Sequence, residues 1–112
     1  MKPAHVCLIE VVPKEGCELD PNEIGGAFIR CYVAADTVEL ARGLVVQQLE
    51  TDRFHVERVE WCVNGRTAEW EKPDDEDAEA LMRQAETSGD VVYGRVDAWD
   101  KESDGGEVDG AR

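Results

Sequence analysis

Apolar and polar positions fall into distinct blocks along the chain. The run Val6-Cys7-Leu8-Ile9, broken at Glu10 and resumed at Val11-Val12, predicts a strand over His5–Pro13 covered on one or both faces. Lys14 to Gly26 is rich in glycine, proline and acid and reads as a loop. Ala27 to Ala35 alternates, with Ala27, Ile29, Cys31 and Val33 on one side and Phe28, Arg30, Tyr32 and Ala34 on the other. That period of two predicts a second strand. Asp36 with Glu39 resembles a capping box, and Val38, Ala41, Val45 and Leu49, with Leu44 beside them, form one helical face behind it. The segment "ETDR" closes this helix.

Phe54 to Val63 is a third predicted strand, stopped at Asn64-Gly65. Asn-Gly between strand-like segments signals a tight hairpin, because both turn positions favour positive φ. The expectation is a short fourth strand over Arg66–Glu71 carrying Ala68 and Trp70. Pro73 and the acids after it mark a second helix start, where the helix dipole stabilises carboxylates. Ala78, Leu81, Met82 and Ala85 give its apolar stripe, and Gly89 ends it. Val91 to Trp99 is the last strand. Residues 100–112 carry almost no apolar side chains and read as an acidic disordered tail, leaving 1–99 as a single domain.

After the first strand, the elements follow the βαββαβ order of the ferredoxin-like α+β superfold. The resemblance is to a superfold, which implies two helices on one face of an antiparallel sheet and carries no activity with it. The additional N-terminal strand either extends a sheet edge or pairs with the second strand as a hairpin.

In that architecture the face opposite the helices is open. Alternation in the last strand puts Val92, Gly94, Val96 and Ala98 beneath a helix and Tyr93, Arg95, Asp97 and Trp99 on the other side. The open face then displays Phe28, Arg30, Tyr32, Tyr93, Arg95 and Trp99, a mixture of aromatics and arginine enriched at protein interfaces. Aromatics on a four-stranded sheet also stack nucleobases in RNA-recognition domains. Here no stretch matches the RNP1 pattern, and the formal charge is −14, with 26 acidic and 12 basic residues. That charge argues against nucleic acid and anionic membrane and favours a basic protein partner. From Thr67 onward 15 acids face 5 bases, which makes Asp74, Asp75, Glu76 and Asp77 a candidate steering patch.

The N-terminus lacks the apolar length of a secretory signal, and no run approaches a membrane span, so the sequence reads as cytoplasmic. In that setting Cys7, Cys17, Cys31 and Cys62 are expected as reduced thiols, mostly buried, with no CxxC among them. His5 and Cys7, with His55 or Cys62, have spacing too sparse for a zinc site. A Cys31 or Cys62 nucleophile served by His5 or His55 is opposed by burial, which makes a thiol inert. The run of acids at 74–77 lacks the glycine and distal glutamate of a calcium loop, and neither Gly-Gly pair leads into a phosphate-binding motif. Glu10, Glu57 and Glu60 are carboxylates for acid–base work only in principle, since acids are abundant throughout.

No catalytic residue, cofactor or metal is therefore assigned. The expected function is that of a small acidic protein-binding domain without catalysis, by compositional analogy an inhibitor or immunity protein directed at a basic partner. The alternative is a face-to-face homodimer enclosing a pocket, where Arg30 and Arg95 hold a small anion and His5 or His55 acts as a base. The partner is then a protein in either case, self or basic, with no nucleic acid and no membrane.

Overall fold

The computed structural model describes residues 2–68 and 77–100. In chain order the elements are β1 (Ala4–Pro13), β2 (Ile24–Ala34), α1 (Val38–Thr51), β3 (Phe54–Asn64), α2 (Asp77–Ser88) and β4 (Val92–Asp100). This is an α+β fold with one four-stranded sheet, ordered β3-β1-β2-β4, in which every neighbouring pair is antiparallel. The N-terminal strand is central rather than an addition at an edge, and it pairs with β2 as a hairpin from Ala4↔Ala34 to Val11↔Ala27. Its continuous apolar run now has a cause, because both of its faces are covered.

The helices lie on opposite faces of the sheet, which corrects the expectation that they share one. Ala41, Val45 and Leu49 of α1 pack with Cys7, Ile9, Val11, Ala27, Ile29, Cys31 and Val33. Met82 and Ala85 of α2 pack with Ala4, Val6, Tyr32 and Val92. Since neighbours on a strand point to opposite sides, these are two separate cores. Each helix is the connection between two strands, β2 to β3 and β3 to β4, and each crossing covers a different side.

The order ββαβαβ also departs from βαββαβ because the Asn64-Gly65 hairpin does not form. Neither residue has positive φ. Asn64 instead caps a turn, its side-chain oxygen accepting from the N–H groups of Arg66 (2.8 Å) and Thr67 (3.2 Å). Gly65 is required by close approach, since a Cβ there would press on Met82 Sδ and Val6. Arg66, Thr67 and Ala68 form a turn, and the remainder of the expected fourth strand lies outside the described residues.

The helix ends follow local chemistry. Thr37, not Asp36, is the N-cap of α1, with its Oγ1 accepting from Leu40 N–H at 3.1 Å. Gly89 follows α2 and donates its N–H to the Ala85 carbonyl. Among the described residues no helix is long and apolar enough to cross a membrane. Of the tail expected over residues 100–112, Asp100 instead belongs to β4, and residues 101–112 lie outside the described residues.

Candidate functional site

The side of the sheet that carries α2 is a ladder of cross-strand rows. Val63, Val6, Tyr32 and Val92 form the first row, of which Val6, Tyr32 and Val92 pack with Met82. Trp61, Leu8 and Arg30 form the second, and Arg58, Glu10, Phe28 and Asp97 the third. Trp99 sits beyond them, opposite Gly26. The cluster built around α2 takes in Val6, Tyr32 and Val92 of the first row, with Trp61 packed against it. Phe28, Arg30 and Trp99 lie past it, half-buried.

Two contacts organise this half, which among the described residues lies past the α2 cluster. The Phe28 and Trp99 rings are 5.4 Å apart between centroids, tilted by 54°. The Arg30 guanidinium carbon lies 5.8 Å from the centre of the Trp61 ring, reaching across Leu8. Gly26 has no side chain because the Trp99 indole occupies the place where a Cβ would stand. Acids and arginines alternate around the rim: Arg58 pairs with Glu10 (3.5 Å) and Glu60 (3.2 Å), and Arg95 with Asp97 (3.1 Å).

The six residues expected to share an open face divide into three groups. Phe28, Arg30, Arg95 and Trp99 do share it. Tyr32 is on the same side but is fully buried under α2. Tyr93 is on the opposite side, in the α1 core. The cause is a β-bulge: between Ile29↔Val96 and Cys31↔Tyr93, Arg30 of β2 stands against both Gly94 and Arg95. Alternation holds from Arg95 to Trp99 and fails between Tyr93 and Arg95. The steering patch is outside the described residues at Asp74, Asp75 and Glu76, while Asp77 opens α2.

Trp61 was missed for the same physical reason. Glu57 and Glu60 are extra residues on β3, each unmatched on β1. A plain period of two from Phe54 would bury Arg58 and Glu60, and that impossibility is the signal that could have exposed the bulges. A second missed group is electrostatic. The Arg66 guanidinium donates to both carboxylate oxygens of Glu86 (2.9 and 3.0 Å) and to Glu79 (2.9 Å). Glu86 also accepts the Ala4 N–H at 2.9 Å, which ties α2 to β1. Hydrogen bonds from Arg66 hold both carboxyls below their usual range.

On the α1 side, a cavity of about 700 Å³ opens between the loop after β1, the end of α1 and β4, lined by Leu19, Ile29, Arg53, Phe54, Tyr93 and Val96 among others. At its wall the Tyr93 hydroxyl donates to Asp52 at 2.6 Å. Burial, then Asp52, pushes the Tyr93 hydroxyl well above the usual phenol range.

The cysteine expectation is corrected in part. Cys7 and Cys62 face each other across β1 and β3, Cα atoms 4.0 Å apart, and are joined as a disulfide. Cys17 and Cys31 are free thiols, and burial pushes Cys31 up to about 12. His5 is buried on the α1 side, its Nδ1 3.1 Å from the Pro3 carbonyl, while exposed His55 lies 3.2 Å from Glu57. His5 is thus on the far side of the sheet from Arg30 and Arg95. Among the described residues no group of three or more His, Cys, Asp or Glu side chains is placed to hold a metal.

Set against known proteins, the chain matches no family model, no curated relative and no solved structure.

Proposed function

We propose that this chain is a non-catalytic protein-binding domain whose docking surface is the half of the α2 side of the sheet that, among the described residues, lies past the α2 cluster. The observation that carries the reading is the pair of half-buried indoles, Trp61 and Trp99, each coupled to a neighbour, Arg30 and Phe28. Trp, Tyr and Arg are the residues that dominate binding energy at protein interfaces. The four-stranded antiparallel sheet with two helices is an inventory compatible with the ferredoxin-like superfold, but a superfold carries no activity, so the reading rests on this surface.

The partner is a basic protein. A charge of −14 speeds encounter with a cationic surface, and the acids at the rim give register. Neutralisation of such a partner, as an inhibitor or immunity protein does, is the role that fits. The test is affinity capture from the source lysate with wild type and with Trp99→Ala, at low and high salt. The reading requires one basic protein retained by wild type, released by salt and lost with Trp99→Ala while the circular dichroism melt persists. Capture indifferent to Trp99→Ala would sink it.

A further inference from the structure

The two edges of the sheet are built differently. β3 carries the two bulges at Glu57 and Glu60, and exposed His55, Glu57, Arg58 and Glu60 line it. Bulges and charge are how an edge is protected against pairing with another chain. β4 is the other edge, and among the described residues no strand pairs with its outer side. It carries one bulge, at Gly94/Arg95; from Val96 to Trp99 it is free of them, and it exposes Val96, which is 44 % accessible.

We infer that β4 is a self-association edge, pairing antiparallel with β4 of a second copy about a twofold axis at Val96. The sequence of the edge selects that register. With the axis at Val96, Arg95 of each copy stands opposite Asp97 of the other. With the axis at Arg95 or at Asp97, like charges meet directly, which is unfavourable. The two side chains project from the α2 side of the strand, where they already pair within one copy at 3.1 Å, so two copies assemble a ring of four alternating charges. Val96 meets Val96 on the other side. The segment Val92–Trp99 is also locally neutral, one Arg and one Asp, in a chain of charge −14 whose copies otherwise repel. A perpendicular twofold axis would extend the sheet to eight strands and set both Phe28–Trp99 pairs on the same side. The inference does not depend on the docking reading.

Sedimentation velocity on the full chain at physiological ionic strength tests it, with circular dichroism to establish that each variant is folded. Wild type should dimerise. Arg95→Asp alone and Asp97→Arg alone should each weaken self-association by roughly tenfold or more, since each places like charges across the axis. Mixing the two variants should restore a dimer, because every cross-axis pair is then complementary. A wild type that stays monomeric overturns the inference. So does a dimer that survives either single substitution, or a mixture that fails to pair, since the contact is then elsewhere or another protein's strand takes this edge.

Discussion

The Tyr93 hydroxyl donates to the Asp52 carboxylate at 2.6 Å, joining β4 to the residue that caps the end of α1. Gln48 donates to the same carboxylate oxygen at 3.1 Å, so Asp52 keeps a partner if Tyr93 loses its hydroxyl. Tyr93→Phe should therefore cost only about 1 kcal/mol in urea denaturation at neutral pH. Its pH behaviour is more telling. A phenol whose folded pKa is raised contributes stability that is fully present below the unfolded value, about 10, and lost as pH rises toward the folded one. Wild type should lose stability above pH 10 more steeply than Tyr93→Phe. Parallel curves would mean that Tyr93 ionises freely in the folded state.

At the acid end Glu86 and Glu79 are both held low by Arg66, and Glu86 is the more buried of the two. Its folded pKa is depressed, first by the hydrogen bonds from Arg66. Its contribution is present above the unfolded carboxyl value, about 4.3, and disappears as pH falls through the folded pKa. Glu86→Gln keeps an acceptor for the Ala4 N–H but removes the charge that Arg66 binds. It should cost about 1–2 kcal/mol at pH 7 and progressively less below pH 4, read from urea midpoints across pH. A deficit independent of pH would assign the loss to shape rather than charge.

The cysteines make a counting prediction. In the folded protein, iodoacetamide should modify Cys17, which is half-exposed, and spare Cys31, whose buried thiol is pushed up to about 12. Denaturation without reductant should add Cys31, and reductant should then release Cys7 and Cys62. Peptide mass mapping reads each step. Modification of all four cysteines on denaturation alone would mean that β1 and β3 are not bridged.

Most elements were legible because their signals are local. The alternation in β2, the Ala41–Val45–Leu49 stripe and the Met82–Ala85 stripe each state a period and a buried side. What the sequence did not state is which helix goes to which face. Val6 and Cys7 both read as core, and nothing local says that they belong to different cores. The functional face was half legible, because parity counts are undone by one extra residue, at Gly94/Arg95 in β4 and at Glu57 and Glu60 in β3. Asn64-Gly65 misled for a related reason: the glycine serves packing against Met82 rather than a positive φ.

Gly26 gives the most direct handle on the aromatic platform, since any Cβ there enters the space of the Trp99 indole. Gly26→Val should lift Trp99 off the strand, separate it from Phe28 and cost about 1–3 kcal/mol, as overpacking does. Fluorescence should report a more solvated indole, and a partner that docks on this half of the sheet should be lost. Gly43 supplies the contrast. It lies inside α1 with nothing within 4 Å of a Cβ, so Gly43→Ala should stabilise by about 0.5–1 kcal/mol and leave fluorescence unchanged. If Gly26→Val leaves the tryptophan spectrum at its wild-type position, Trp99 does not rest on Gly26, and the platform is not assembled as described.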